Sequence, residues 1–263
     1  MRWLAVALCA LGSWSAAAYE AAPVSVEIVA PDGSTFREFP VSARDGSLRS
    51  YLQAEKGARY QVRVRNTSGE RLGLVIAVDG RNIINGAKSE LSRDEPMYVL
   101  GAWETENYSG WRASLEAINE FYFTDWTDSY AEAFGDRSAR GVIAVAVYRE
   151  IAPPRVSQPW RENDEYGDTA SAPAAPATAD AGRAAGESSK SRRDQSPGTG
   201  YGERRIDRAV AVEFVAQSSP DSRHFIKYEW RQTLCRKHVL DCSERNRFWD
   251  DSTLGFAPPP PRR

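Results

Sequence analysis

Two apolar runs constrain this chain more than any other feature of its sequence. They are Leu72–Val78, which is interrupted only by Gly73, and residues 142–148. A strand with one face in water alternates apolar and polar residues, whereas a strand that is apolar on both faces needs cover on both. A helix that crosses a membrane needs about 20 apolar residues, so neither run is long enough. We predict that both are central strands of a covered sheet.

Shorter alternating patterns predict further strands. Residues 24–28 and 35–41 flank the turn-forming residues 31–34, which favours an edge hairpin. In residues 59–65, three apolar side chains face one way and four polar ones the other, the latter being Arg59, Gln61, Arg63 and Arg65. This arginine row is either a site for an anion or a carboxylate-rich glycan, or a soluble face that protects a sheet edge.

Short strands are also predicted at residues 97–100, 118–126, 209–215 and 225–230, and residues 101–109 are predicted to form a turn region. Between Asp128 and Gly135 the sequence favours a short helix, with Asp128 as its N-cap and Gly135 as its C-cap. Many short strands with one short helix predict an all-β fold, an antiparallel β-sandwich of the immunoglobulin-like or jelly-roll-like kind.

Composition divides the chain into regions. Residues 152–200 are rich in proline, alanine, serine and glycine and have too few apolar side chains to offset the entropy cost of ordering. We predict a disordered insert there. The sandwich domain then comprises residues 19–151 and 201–232, and residues 233–263 form a tail.

The first 18 residues have the pattern of a secretory signal peptide. Arg2 precedes an apolar stretch at residues 3–11, and Ala16-Ala17-Ala18 fits a cleavage site before Tyr19. A retained anchor is the alternative. We expect a secreted or periplasmic protein whose mature chain has no transmembrane segment.

Two cysteines, Cys235 and Cys242, remain after such cleavage, and an even pair in an exported protein predicts a disulfide. The alternative is a zinc site built from Cys235, His238 and Cys242, for which His224 is the one other histidine available. Export favours the disulfide, so we predict no bound metal.

Nothing in the charge or the motifs indicates a cofactor. The formal net charge of -2 argues against electrostatic capture of nucleic acid. The glycines at 198, 200 and 202 lack the last glycine of a dinucleotide fingerprint, and no serine has the Gly-x-Ser-x-Gly context. We predict no cofactor and favour a non-catalytic protein, although enzymatic activity stays open.

Three groups of side chains are candidates for a site. The candidates for a glycosidase pair of carboxyl groups are Glu116, Glu120, Asp125 and Asp128. The candidate oxygen ligands for calcium, with turn formation as the alternative, are Asp79, Asn82, Asp94 and Glu95. Aromatic residues with polar neighbours, which we expect to reach solvent and bind a partner together with Arg112, are Trp103, Tyr108 and Trp126.

Several motifs occur in an order that resembles a group of exported bacterial β-sandwich proteins of unknown function. They are Val78-Asp79-Gly80-x-Asn82, Gly110-Trp111-Arg112, Phe123-Thr124, Ser129-Tyr130, Gly141-Val142-Ile143 and Gly198-Thr199-Gly200-x-Gly202-Glu203. The resemblance spans about residues 55–230. It implies that residues 201–230 belong to the sandwich domain, and it implies no functional residue.

These observations predict a non-catalytic binding or interaction module of the cell envelope. Its contact surface would be the loops at residues 80–112 and 124–140, and its partner an envelope protein or a glycan. One alternative is a hydrolase that acts on glycans or envelope polymers through loop carboxylates. The other is a structural subunit of an envelope assembly.

Overall fold

A computed structural model describes residues 22–151 and 196–242. The predicted signal peptide, the start of the mature chain at Tyr19, the predicted disordered insert up to residue 195 and the tail beyond residue 242 lie outside the described residues. Among those that are described, no helix has the length and apolar character needed to cross a membrane.

The described chain is built mainly from short strands. They are β1 (Val24–Val29), β2 (Glu38–Val41), β3 (Leu48–Ala54), β4 (Gln61–Asn66), β5 (Leu72–Val78), β6 (Arg81–Asn82), β7 (Tyr98–Leu100), β8 (Thr105–Tyr108), β9 (Gly110–Ser114), β10 (Ala117–Glu120), β11 (Phe123–Asp125), β12 (Val142–Arg149), β13 (Pro197–Thr199), β14 (Arg204–Ile206) and β15 (Ser222–Trp230). Two short helices, α1 (Tyr130–Ala133) and α2 (Arg231–Arg236), and one 3₁₀ turn (Trp126–Asp128) complete it.

Two sheets enclose the main core. The larger sheet has the order β2-β3-β15-β12-β5-β6, with β7 also paired to β5, and the smaller has the order β1-β4-β8. Every pairing in them is antiparallel except that of β3 with β15. Two smaller ribbons, β14-β10-β9 and β11-β13, flank the sheets. The predicted all-β antiparallel sandwich is confirmed.

Both apolar runs are central strands, as predicted. β12 lies between β15 and β5, and β5 is buried at every position. One face of β5 contributes Leu72, Leu74, Ile76 and Val78 to the core that it shares with β1 and β4. On the opposite face, Val75 packs with Ala146 and Tyr148 beneath Met97 and Phe214. Burial on both faces explains why these runs lack polar alternation.

The predicted hairpin at the amino end is wrong. β1 pairs with β4 in the smaller sheet, whereas β2 pairs with β3 in the larger one. A single bridge between Val29 and Thr35 is what remains of the expected pairing. The turn therefore carries the chain from one sheet to the other, and β1 buries its apolar face against Val62 and Val64 of β4.

Several strands were not predicted, and β3 and β8 are the two that lie in the main sheets. In β3, Ser50, Leu52 and Ala54 are buried at alternate positions, but two of these three side chains are too small to give a strong apolar signal. β8 falls in residues that were expected to form a turn, and Tyr108 is its one buried side chain.

The carboxyl-terminal part departs from prediction in two places. Residues 209–215 form no strand, and one bridge joins Ala216 to Glu150. The strand predicted at 225–230 is confirmed within β15. β13 begins before residue 201, the predicted point of return into the domain.

The predicted helix is confirmed as α1, but its N-cap is Ser129 rather than Asp128, since the Ser129 side chain accepts a hydrogen bond from the backbone of Glu132. A second helix, α2, was not predicted. It carries Cys235, whose disulfide to Cys242 is present with a Cα–Cα distance of 5.6 Å.

Candidate binding groove

A groove opens where the edges of the two main sheets meet. β8 is the last strand of the smaller sheet, and β7 lies at the outer edge of the larger one. The rings of Tyr98 on β7 and Tyr108 on β8 meet across the gap, with centroids 4.5 Å apart. The groove has a volume of about 670 Å³, and its lining includes Ile84, Leu100, Leu115 and Ile118.

Residues 207–216, which we call the strap, run along one side of this groove, and residues 207–212 and Phe214 line it. At one end, the backbone N–H of Ala209 donates to the carbonyl of Leu115 at 2.7 Å. At the other end, the N–H of Ile151 donates to the carbonyl of Val215 at 2.7 Å. The strap is thus tied to the sandwich at both ends.

Phe214 anchors the strap on the larger sheet through a glycine. A Cβ atom on Gly73 would lie 2.6 Å from the Phe214 ring and 2.5 Å from the sulfur of Met97. Such a contact is too close for any side chain, so the glycine interrupting the first apolar run makes room for Phe214. A glycine in the interior of a strand often marks a place where another group closely approaches the backbone.

Between its anchors the strap is open to solvent. Val210 is 82% exposed and Val212 is 55% exposed. Within ranges 22–151 and 196–242, the backbone of residues 210–212 makes no hydrogen bond. Adjacent exposed apolar residues on an unpaired backbone are typical of an interaction surface.

Arg112, predicted as a binding residue, holds the strap in place. Its guanidinium donates to the carbonyl oxygen of Asp207 at 2.6 Å, to the Asp207 carboxylate at 2.5 Å and to the Tyr98 hydroxyl at 3.0 Å. Charge-assisted bonds of this kind are among the stronger ones in proteins. Arg112 lines the groove, but its charge is already paired with that of Asp207. Its main effect on the site is therefore to hold the strap, and with it the shape of the groove.

Tyr108 was expected to reach solvent, and that expectation is wrong, because only 7% of the residue is exposed. Its ring nevertheless lines the groove, and burial raises the pKa of its hydroxyl far above the ordinary value. The hydroxyl is therefore protonated at neutral pH. No other described residue forms a hydrogen bond with it, which leaves one donor and one acceptor for an occupant of the groove.

The two predicted tryptophans differ sharply. Trp103 is 69% exposed, as expected, but it packs beside Gly69 and does not line the groove. Trp126 was also expected to reach solvent, and this is wrong, because it is 1% exposed and its indole N–H donates to Glu132 at 2.6 Å. A ligand cannot stack on Trp126 in this structure.

Two of the four candidate acidic residues, Glu120 and Asp125, are held in ion pairs. Glu120 is buried, with Arg59 at 3.2 Å and Arg205 at 2.7 Å. Asp125 pairs with Lys56 at 2.5 Å. Carboxylates matched in this way hold parts of the chain together, since Arg205 lies on β14 and Glu120 on β10.

The residues considered for calcium also have other partners. Asn82 donates to Glu95 and to the carbonyl of Pro96, and Asp79 accepts from protein donors. Within the parts of the chain that the structure describes, no three histidine, cysteine, aspartate or glutamate side chains cluster as metal ligands would.

A buried polar cluster around Asp79 was missed by sequence reasoning. One carboxylate oxygen accepts from the N–H of Gly141 at 2.7 Å and from the Tyr228 hydroxyl at 2.6 Å, and the other accepts from the N–H of Thr199 at 2.8 Å. The Thr199 hydroxyl lies 2.7 Å from that of Tyr60 and 2.8 Å from that of Tyr228. Asp79 thus joins β12, β13 and β15 to the end of β5.

Burial raises the pKa of the Asp79 carboxyl to about 6, although its hydrogen bonds oppose the shift. Asp79 also has a left-handed backbone conformation, with φ of 50°. Its position before Gly80 was interpreted as a turn signal, which is correct but incomplete. The sequence offered no signal that Thr199 and Tyr228 would meet it.

Comparison with family models, with curated proteins and with solved structures found no match.

Proposed function

We propose that this protein is a non-catalytic binding module of the cell envelope that holds its partner in the groove beneath the strap. The observation that carries this proposal is the composition of the groove lining. The groove has an apolar floor, a tyrosine hydroxyl that has no partner among the described residues, and a wall held in place by Arg112. Apolar pockets with a few convergent polar groups are the common form of binding sites.

The location in the envelope is supported by two features. The first 18 residues have the pattern of a secretory signal. The Cys235–Cys242 disulfide is consistent with an oxidising compartment. The hydrolase alternative gains no comparable support, because Glu120 and Asp125 are held by basic side chains outside the groove lining.

A matched pair of substitutions tests the proposal. Side chains alternate along a strand, so Glu106 lies on the same face of β8 as Tyr108, and it lines the groove. Glu106→Trp should fill the groove. Glu27→Trp makes the same change on the exposed face of β1, at the opposite edge of the same sheet and outside the lining.

The readout is photo-crosslinking. The crosslinking amino acid p-benzoylphenylalanine replaces Val210 in the strap, and the purified mature protein is irradiated with an envelope extract of the cells that produce it. We expect a discrete crosslinked product with the otherwise unaltered protein and with Glu27→Trp, and its loss with Glu106→Trp. A product that persists with Glu106→Trp, or no product with any form, contradicts the proposal.

A further inference from the structure

Resting on the proposed function, we infer that the occupant of the groove is an extended polypeptide segment that adds to the free edge of β8 as a further strand. A partner protein of the envelope would supply this segment. The inference follows from the backbone of β8, the floor of the groove and the charges at its rim.

The backbone of β8 leaves one edge unpaired. The N–H of Asn66 donates to the carbonyl of Glu104 at 2.8 Å, so the backbone groups of Glu104 point towards β4. In an antiparallel pair, alternate residues point their backbone groups to opposite edges. Thr105 and Asn107 therefore direct theirs away from β4, and across the described ranges β8 has no second strand partner.

The strap supplies a second unpaired backbone on the other wall. Residues 207–212 line the groove, and those at 210–212 make no backbone hydrogen bond with any described residue. An extended segment between β8 and the strap would face main-chain donors and acceptors that folding has left free. Strand addition derives its affinity from such main-chain bonds and its specificity from pockets for alternate side chains.

The floor of the groove favours a particular sequence pattern. Ile84, Leu100, Leu115 and Ile118 are apolar, and the Tyr108 hydroxyl is the polar group among them. In an added strand, every second side chain would point to this floor and the others to solvent. The partner segment should therefore alternate apolar and polar residues, as an edge strand of another protein does.

Charges at the rim are consistent with a polypeptide partner. Glu106 on β8 and Arg208 on the strap both line the groove, and neither forms an ion pair with a described residue. A segment with charged side chains of both signs would match them. A glycan would instead need an exposed aromatic face, and Trp103 lies outside the lining while Trp126 is buried.

Backbone methylation of a peptide tests this inference directly. The probe is a fluorescein-labelled ten-residue peptide of alternating valine and threonine with one lysine and one glutamate near its ends. Two further forms carry N-methyl groups on the valine amides alone or on the threonine amides alone. The side chains stay the same, but each methylated form loses the hydrogen-bond donors of one edge.

Fluorescence anisotropy with the mature protein should show binding of the unmethylated peptide. One methylated form should bind at least about tenfold more weakly than the unmethylated peptide, because it loses two or more main-chain bonds to β8. The other should lose less affinity than this form, since its methyl groups would face away from β8 and meet only the free backbone of residues 210–212 in the strap. Glu106→Trp should abolish binding of all forms, and Glu27→Trp, on the exposed face of β1 at the opposite edge of the same sheet, should leave it unchanged.

Other outcomes separate this inference from the proposed function. Equal binding of all three peptides, lost with Glu106→Trp, would overturn strand addition and keep the groove as a binding site. Absence of peptide binding while the crosslink at position 210 still depends on Glu106 would also overturn it. Absence of both peptide binding and crosslinking would contradict both proposals.

Discussion

Around Asp79, three donors converge on one buried carboxylate, whereas at Tyr108 a buried side chain ends in a hydroxyl with no described partner. Both regions lie beside the same core, and both were built from short strands and turns. Buried polar groups are nearly always hydrogen-bonded, as the Asp79 carboxylate is, whereas the Tyr108 hydroxyl lies in the lining of the groove, where an occupant can bond to it. We attribute the first region to stability and the second to binding, and this difference can be measured.

The largest effect is expected for Asp79→Ala. The change leaves the N–H groups of Gly141 and Thr199 and the Tyr228 hydroxyl without their acceptor in a buried site. We expect the free energy of unfolding to fall by about 4 kcal/mol, since each unpaired buried group costs about 1–3 kcal/mol. Urea unfolding at pH 7 measures this loss.

The matched control is Asp94→Ala, whose side chain is exposed. It should change the free energy of unfolding by less than about 0.5 kcal/mol, as surface substitutions do. Equal effects of the two substitutions would mean that the Asp79 cluster contributes little to stability.

The second largest effect is the pH dependence that the Asp79 carboxyl gives to the free energy of unfolding. Burial raises the folded-state pKa of Asp79 to about 6, above its ordinary value of 3.8. The stabilising contribution of the protonated form is therefore complete below about pH 4 and is lost as pH rises through 6. Over that range it amounts to about 3 kcal/mol.

A difference measurement isolates Asp79. His224 is buried with a pKa lowered to about 4, so it acts in the opposite direction and reduces stability as pH falls below 6.5. Comparison of the unaltered protein with Asp79→Asn at each pH removes this shared effect. The stability difference should shift in favour of the unaltered protein between pH 8 and pH 4, and a constant difference would contradict the raised pKa.

Two tyrosines give a direct comparison of the regions. Tyr228→Phe removes a hydroxyl that bonds to Asp79 and Thr199, and we expect a loss of about 2 kcal/mol. Tyr108→Phe removes a hydroxyl with no partner in residues 22–151 or 196–242, and we expect a change below about 0.5 kcal/mol. Thermal or urea unfolding of both variants decides whether the distinction holds.

The smallest effect on stability is expected in the strap. Val212 is more than half exposed, so Val212→Ser should change the free energy of unfolding by less than about 0.5 kcal/mol. The same substitution should weaken the crosslink at position 210 if the strap contacts the partner. A loss of more than about 1 kcal/mol would instead give the strap a role in holding the fold together.

Sequence patterns identified the strands that have a strong local periodicity. They did not show which segments pair with one another. β5 and β12 were predictable because seven consecutive apolar residues need cover on both faces. The strap alternates alanine and valine as a strand would, yet it stays unpaired because Phe214 is the side chain that finds a pocket, over Gly73. Trp126 was expected at the surface from its acidic neighbours, but Glu132 and Arg140 cover it.

The site was less predictable than the fold. Tyr108 and Arg112 were selected from sequence, and both line the groove, but the groove depends on residues almost 100 positions later in the chain. No local signal connects Arg112 with Asp207 or Asp79 with Thr199. Contacts of this separation are set by the closing of the whole domain.

The place of β15 has a consequence for the order in which this protein is made. β15 separates β3 from β12, so the larger sheet stays in two pieces until Ser222–Trp230 has been synthesised. A parallel pairing between strands about 175 residues apart is slow to form, because a long loop must close first. The larger sheet can therefore close only after β15 has been synthesised.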